Sequence, residues 1–181
     1  MSRIHTPATI DASPEASRNL LKAVQAQLGS VPNMFRIIGS SPAALEGYLG
    51  LNSALGKGVL NAQTRERIAL AVAEINGCDY CLAAHSYLGN LVKLSEAEIE
   101  AARRGTSSDV KAAAAVKFAV KVTRYRGGVS DTDVNAVRDA GYSDAEIVEI
   151  VAHVALNTLT NYINETLKTD IDFPVAKSLA A

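Results

Sequence analysis

Residues 76–85 read Asn-Gly-Cys-Asp-Tyr-Cys-Leu-Ala-Ala-His, and they interrupt what is otherwise a long helical pattern. The Asn76-Gly77 pair predicts the end of one helix, because glycine readily takes the left-handed conformation that stops a helix. Helical periodicity resumes at once, so Cys78 is expected in the first turn of the next helix. The stretch therefore predicts two consecutive helices, with both cysteines of the chain at their junction.

Helix start and stop signals recur along the rest of the chain. Ser13-Pro14 and Ser41-Pro42 each put a capping hydroxyl before a proline at the first helical position. Residues 95–98 and 143–146 have the pattern of capping boxes, and no segment reads as a β-strand. These signals predict helices at about 14–28, 42–56, 62–76, 78–92, 95–104, 109–126, 131–140 and 144–168, with a short helix at 33–38.

The predicted organisation is one all-α domain over residues 1–181. The region that carries the cysteine motif covers about residues 42–126, and C-terminal helices follow at about 131–168. Residues from Asp170 onward are expected to form an extended tail. Abundant alanine and an aromatic content of only 5% favour closely packed helices over a β-sandwich.

Composition excludes several classes of partner. The formal net charge is −1, and no run of basic residues interleaved with aromatics marks a nucleic-acid site. No apolar stretch approaches the roughly 18 residues that span a bilayer, and the N-terminus lacks the apolar core of a signal peptide. We therefore expect a cytoplasmic protein that binds neither nucleic acid nor membrane. In the cytoplasm, paired cysteines are more often catalytic or metal-binding than structural.

The spacing of the cysteines and a histidine points to thiol chemistry. Cys78 and Cys81 lie three residues apart, so they share a helix face and are close enough to form a disulfide. A thiol near a helix N-terminus meets unpaired amide groups and the positive end of the helix dipole, which favours the thiolate. His85 follows Cys81 by four residues on the same face, where its imidazole can take or return a proton.

Two carboxylates on the preceding helix could orient this histidine. If the chain folds back at Gly77 as a helical hairpin, Glu66 lies about 11 residues before the bend and His85 about 8 after it, an axial offset of about 4–5 Å. Glu74 would lie level with the cysteines, near the mouth of the site. The hairpin argument favours Glu66 as the partner of the histidine and keeps Glu74 in reserve.

Other readings of these residues remain open at this point. The cysteines could be buried structural thiols, or they could bind a metal ion together with the histidine and a fourth ligand, His153 or Glu66. His153, Asn157 and Asn161 form a polar stripe that more often makes interhelical or subunit hydrogen bonds than catalytic contacts. No nucleotide-binding signature is visible, and no cofactor is predicted.

Together these residues resemble the core of the alkylhydroperoxidase D (AhpD) family, within the carboxymuconolactone decarboxylase superfamily. The resemblance rests on Glu66, on the Cys-x-x-Cys motif that follows after eleven intervening residues, and on His85 three residues beyond the motif. Residues 31–35, Val-Pro-Asn-Met-Phe, resemble the peroxidase-related branch of that superfamily, as do Asn161-Tyr162 and Asp172-Phe173-Pro174.

The resemblance implies an AhpD-like helical bundle, with the Cys-x-x-Cys motif at the N-terminus of a central helix, and homo-oligomers that are often trimers or hexamers. It implies reduction of hydrogen peroxide or organic hydroperoxides, with Cys81 as the peroxidatic thiol and Cys78 as the resolving one. Glu66 and His85 would form a proton relay, and electrons would come from an external dithiol of lipoyl or thioredoxin-like type. The alternative is a non-enzymatic helical oligomer that responds to redox state or to a metal ion.

One position departs from the prototype of that family. Tyr80 stands beside the second cysteine, where the prototype has a histidine. A tyrosine donates a hydrogen bond, but it titrates near pH 10 and cannot replace imidazole as a base at neutral pH. Tyr80 is therefore a candidate to line the substrate pocket rather than to move protons. Glu74 is a second candidate for the pocket, besides its place in reserve as the partner of the histidine.

Overall fold

The structure is a computed structural model that describes residues 2–179. Within that range all regular secondary structure is helical, so the all-α prediction is confirmed. The helices are α1 (Glu15–Leu28), α2 (Asn33–Ile38), α3 (Pro42–Gly56), α4 (Ala62–Asn76), α5 (Asp79–Leu91), α6 (Glu96–Arg103), α7 (Val110–Arg124), α8 (Asp131–Asp139) and α9 (Asp144–Leu167). No helix in residues 2–179 has the combination of length and apolar character that a membrane crossing needs.

The caps explain where the helices begin, with two differences from the sequence-based expectation. Ser143 forms the full capping box with Glu146. Ser95 forms only half of one, because the Glu98 side chain turns instead to Arg67, whose Nε lies 2.7 Å from a carboxylate oxygen. The other difference lies at Ser13, since α1 begins at Glu15 and its N-cap residue makes no side-chain capping bond.

Helix α4 lies at the centre of the bundle. It packs against α5, α6, α7 and α9, and Ile68, Leu70 and Val72 are fully buried. Residues on nearly all sides of α4 are buried, which is typical of a helix enclosed by others rather than one with a single apolar stripe. This burial fixes the helix that carries Glu66 and leads into the cysteine motif.

Two apolar clusters flank this centre. The first lies between α4, α7, α8 and α9 and includes Ile68, Phe118 and Ile150. The second joins α1 and α3 to the C-terminal half of α9 through Leu21, Leu45 and Leu156. A third, smaller cluster contains both cysteines, and Met34 of α2 and the C-terminal tail pack against it; its buried members are Ala73, Cys78, Tyr80, Cys81 and Leu82.

The packing of α9 predicts that substitutions at two neighbouring positions, Ile150 and Val148, differ in their effect on the free energy of unfolding. Ile150 is fully buried, whereas Val148 is 67% exposed on the same helix. Ile150→Ala should lower the free energy of unfolding by about 2–5 kcal/mol, because it removes core contacts and leaves a cavity. Val148→Ala is the control and should change it by no more than about 0.5 kcal/mol. Urea denaturation followed by circular dichroism measures both, and equal losses would contradict this assignment of the core.

Candidate active site

The turn between α4 and α5 is closed by Gly77. This residue is the C-cap of α4 and has the left-handed conformation, with φ +64°. The Cys78 amide then donates to the carbonyl of Ala73 at 3.0 Å, which turns the chain back on itself. Because only glycine takes this conformation without steric cost, the Asn-Gly pair fixes the hairpin.

Cys78 is the N-cap of α5, one position earlier than the predicted first turn. Its Sγ accepts the backbone N–H of Cys81 at 3.2 Å, a role usually filled by a serine or aspartate oxygen. The Cys78 sulfur therefore lies at the positive end of the α5 dipole, with a backbone donor directed at it.

The two cysteines form a disulfide in this structure. Their Cα atoms lie 5.2 Å apart, and Cys78 and Cys81 are 0% and 3% exposed. The predicted pairing geometry is thus present, and the structure shows the oxidised form of the pair. The sulfurs are closed off from solvent, so a reagent reaches them only if the residues above them move.

The hairpin brings His85 against Glu66. Nδ1 of His85 lies 2.8 Å from Oε2 of Glu66, and the two side chains are 20% and 19% exposed. An ionised carboxylate only accepts hydrogen bonds, so Nδ1 carries the hydrogen and a neutral ring has its lone pair on Nε2. The arrangement leaves Nε2 as the basic nitrogen, on the residue four positions after Cys81.

Glu74 pairs with an arginine instead of the histidine. Its Oε2 accepts a hydrogen bond from Nε of Arg103 at 2.7 Å, and Arg103 also donates to the backbone carbonyl of Lys177 at 2.5 Å. Of the two carboxylates considered from the sequence, the structure brings Glu66 to the histidine and Glu74 to an arginine that holds the C-terminal tail.

Tyr80 binds this tail as well. Its hydroxyl donates to Oδ1 of Asp172 at 2.8 Å and accepts the backbone N–H of Met34 at 3.2 Å. The other oxygen of Asp172 accepts the N–H of Asn33 at 2.7 Å. Burial, together with the hydrogen bond to Asp172, raises the pKa of Tyr80 well above its ordinary value. The hydroxyl therefore stays protonated and acts as a donor.

Residues 169–177 form a strap that covers the cysteine cluster. The ring of Phe173 packs edge-on against Tyr80, with centroids 5.7 Å apart, and also contacts Tyr87. Farther along, Lys177 pairs with Glu96 of α6 at 2.5 Å. The sequence predicts an extended tail here, and the structure adds that the tail is tied down at both ends across the cysteines.

Tyr48 of α3 borders the histidine side of the site. Its side chain is buried, and burial raises the pKa of Tyr48 to about 12, with the negative charge of Glu66 acting in the same direction. A neutral phenol therefore lies within electrostatic range of the carboxylate. Tyr48 is not among the residues predicted from the sequence, since nothing local connects it to the motif.

His153 occupies a different environment from His85. It is buried, and burial lowers the pKa of His153, with the positive charge of Arg65 acting in the same direction. Its Nε2 has no hydrogen-bond partner among the described residues. The same range, residues 2–179, contains no group of three or more His, Cys, Asp and Glu side chains arranged to hold a metal ion. The geometry therefore lends no support to a metal site built from the cysteines and His153.

Two asparagines of α9 contact the hairpin. Asn161 accepts a hydrogen bond at Oδ1 from Nδ2 of Asn76, the last residue of α4, at 2.9 Å. Asn164 donates from Nδ2 to Sγ of Cys81 at 3.3 Å. The polar stripe predicted from the sequence ends at Asn161 and leaves out Asn164, although Asn164 follows three residues later on the same face.

The strap should limit the rate at which a reductant reaches the disulfide, because it covers both sulfurs. Tyr80→Phe removes a hydrogen bond to a charged acceptor, worth about 1.5–3 kcal/mol, so reduction by a small phosphine should accelerate about tenfold or more. Asp172→Ala removes the same bond from the other side, together with the bond from the N–H of Asn33, and should accelerate reduction at least as much. Tyr87→Phe, which keeps its ring against Phe173, is the control. Release of thiols with time measures the rate, and a Tyr80→Phe rate equal to that of the control would contradict the role of the strap.

Comparisons with known proteins agree with this architecture. The model of the carboxymuconolactone decarboxylase family matches residues 42–125, which run from α3 to the end of α7 and include both helices of the hairpin. An uncharacterized protein from Haemophilus influenzae is 48% identical over 46 residues. That match covers 25% of this chain and 41% of the relative, so the chain spans less than half of the relative's length.

Solved structures match over nearly the whole chain. The AhpD core of an uncharacterized peroxidase-related protein from Ralstonia eutropha JMP134 has a TM-score of 0.85 and 26% identity, covering 94% of this chain and 92% of that one. The debrominase Bmp8, solved with 2,3,4-tribromopyrrole, has a TM-score of 0.79 and 20% identity, covering 95% and 94% of the two chains; at that identity it shows the fold alone. The family match over residues 42–125 and the near-complete structural match both agree with the AhpD-like fold of the carboxymuconolactone decarboxylase superfamily that the motif implied.

Proposed function

We propose that the protein is a thiol-dependent peroxidase that reduces hydrogen peroxide or organic hydroperoxides through Cys81 and Cys78. The observation that carries the proposal is a disulfide-forming pair followed, four residues after Cys81 on the same helix, by a histidine that lies 2.8 Å from a carboxylate. The likeness to a peroxidase-related protein supports it. The shared fold does not choose the substrate, because a debrominase has it as well.

In the first step, His85 takes the proton of the Cys81 thiol, and the thiolate attacks one oxygen of the hydroperoxide. The S–O bond forms as the O–O bond breaks, and the leaving alkoxide takes the proton back from His85 as the alcohol. The peroxide is reduced by two electrons, and Cys81 becomes a sulfenic acid. With hydrogen peroxide as substrate, the product is water.

In the second step, the Cys78 thiol attacks the sulfur of the sulfenic acid. A disulfide forms and one molecule of water leaves, which regenerates the state seen in the structure. An external dithiol of lipoyl or thioredoxin-like type then reduces this disulfide and becomes a disulfide itself. Each cycle thus consumes one hydroperoxide and one dithiol.

Glu66 has a positioning role in this scheme. Its carboxylate fixes the ring orientation and tautomer of His85 and stabilises the imidazolium that forms when the thiol loses its proton. Tyr80 takes no part in proton transfer, because its hydroxyl is held by Asp172 and Met34.

The working environment follows from the same chemistry. We place the protein in the cytoplasm, where external dithiols keep cysteine pairs reduced. We also propose a homo-oligomer, for which the resemblance implies a trimer or hexamer; in support of association, α9 leaves large apolar side chains exposed on its outer face. These side chains are Val148, Val151, Leu159 and Tyr162.

The competing proposal is a redox-responsive protein without turnover. The burial of both sulfurs beneath the strap favours it, since a sensor needs to react once and not to release product quickly. Such a protein would consume about one equivalent of peroxide per chain and then stop, even with dithiol in excess. Turnover therefore separates the two proposals.

The test is steady-state hydroperoxide consumption with dihydrolipoamide as electron donor. Cys81→Ser should abolish consumption, and Cys78→Ser should slow it, because the sulfenic acid then has to be resolved by the external dithiol instead of by Cys78. His85→Gln should slow turnover by about 10²-fold or more, the usual contribution of a general base. Glu66→Gln should cause a smaller loss in the same direction.

Glu46→Gln, an exposed carboxylate on α3, is the matched control and should turn over like the wild type. A Cys81→Ser protein that consumes hydroperoxide at the wild-type rate would rule out the peroxidase mechanism. A wild-type protein that stops after one equivalent would establish the sensor instead.

A further inference from the structure

The hairpin alone does not favour Cys81 as the reactive sulfur. Cys78 lies at the positive end of α5, and its sulfur accepts the Cys81 backbone N–H at 3.2 Å. Both features stabilise a negative charge on Cys78. These contacts alone would make Cys78 the thiolate of the pair. His85 of α5 can take a proton from Cys81, but a donor that stabilises the charge left on the Cys81 sulfur must come from outside α5.

Asn164 supplies a donor to the other sulfur. Its Nδ2 lies 3.3 Å from Sγ of Cys81 and reaches it from α9, a helix 83 positions away in sequence. A disulfide sulfur has no hydrogen, so only the amide N–H of this carboxamide can bond to it. After reduction, the same N–H points at a thiolate, and hydrogen bonds to a charged acceptor are stronger than those to a neutral one.

The rest of the Asn164 side chain argues against a merely structural role. The side chain is 1% exposed, and its Oδ1 is buried without a hydrogen-bond partner among the described residues. An asparagine that only stabilises a core pairs its carbonyl oxygen as well as its amide group. Here the side-chain contact is made to a sulfur, at the cost of an unsatisfied oxygen.

The position of Asn164 is also well defined. Its backbone carbonyl accepts the N–H of Lys168, the left-handed C-cap of α9, and the N–H of Thr169 at 3.1 Å. One turn earlier, Asn161 binds Asn76 at the end of α4. The end of α9 is therefore joined to both sides of the cysteine turn, which keeps the amide aligned with the sulfur when the disulfide opens.

We propose that the Asn164 carboxamide selects Cys81 over Cys78 as the nucleophilic sulfur by donating its N–H to the Cys81 thiolate. This inference deepens the proposed function and rests on it for its role in catalysis. Asn164 touches the reacting atom and is in that sense a catalytic residue. The selection itself is a property of the reduced protein and needs no hydroperoxide.

The test is alkylation of the reduced protein with less than one equivalent of iodoacetamide, followed by mass spectrometry of the two cysteine peptides. The reaction forms an S–C bond on whichever thiolate is present and releases iodide. The wild type should be labelled mainly at Cys81. Asn164→Leu should lower the Cys81-to-Cys78 labelling ratio about tenfold or more, since one charge-assisted hydrogen bond is lost.

Asn164→Asp keeps the size of the side chain and replaces the donor by a carboxylate oxygen, so it should lower the ratio at least as far. Asn157→Leu is the matched control: Asn157 is buried on the same helix but bonds to the carbonyl of His153, and its variant should keep the wild-type ratio. In a Cys78→Ser background, Asn164→Leu should move the pH midpoint of Cys81 alkylation upward by about one unit or more.

Three results would overturn the inference: labelling of the wild type mainly at Cys78, an unchanged ratio in both Asn164 variants, or an equal loss in the Asn157 control. Circular dichroism of each variant shows whether it has folded. If Asn164→Leu has not folded, Asn164→Asp is used for the test instead. Selective labelling without hydroperoxide turnover would reject the proposed function and leave this inference standing. Hydroperoxide turnover with an unchanged labelling ratio would support the proposed function and reject this inference.

Discussion

The left-handed turn at Gly77 is the constraint on which the site depends. It reverses the chain between α4 and α5, so that a carboxylate eleven residues before it meets an imidazole eight residues after it. The same reversal makes Cys78 an N-cap and leaves its sulfur at the start of α5. An L-residue at position 77 would carry the cost of the left-handed conformation, about 1–2 kcal/mol, in the turn that aligns both the His85–Glu66 pair and the disulfide. Because α4 is buried on nearly all sides, the hairpin cannot adjust by moving α4.

The features that could be predicted from the sequence are those set by short-range geometry. The caps at Ser41 and Ser143, the break at Gly77 and the helix register that joins Cys78, Cys81 and His85 all follow from residues a few positions apart. The meeting of Glu66 with His85 required only the further step of folding one helix back on its neighbour. The half-formed cap at Ser95 differs because Glu98 finds a long-range partner in Arg67, which no local pattern reveals.

The contacts of the site that could not be predicted from the sequence join distant parts of the chain. Asn164 reaches Cys81 across 83 positions, and Asp172 reaches Tyr80 across 92. Tyr80 illustrates the difference: in sequence it is only a departure from a histidine, whereas in the structure it is the attachment point of the strap. A hydroxyl with a raised pKa suits that role, because it stays protonated, and so remains a donor to Asp172, at neutral pH and well above it.

The two halves of the site differ in their access to solvent. This difference separates the exchange of protons from the access of reagents to the sulfurs. The side chains of His85 and Glu66 are about one-fifth exposed, while both sulfurs are buried beneath residues 169–177. Protons can therefore exchange with water at the histidine end while the strap stays closed. Any molecule that reacts at sulfur must pass the strap instead. Water thus reaches the histidine and its carboxylate directly, whereas access to the sulfurs depends on movement of the strap.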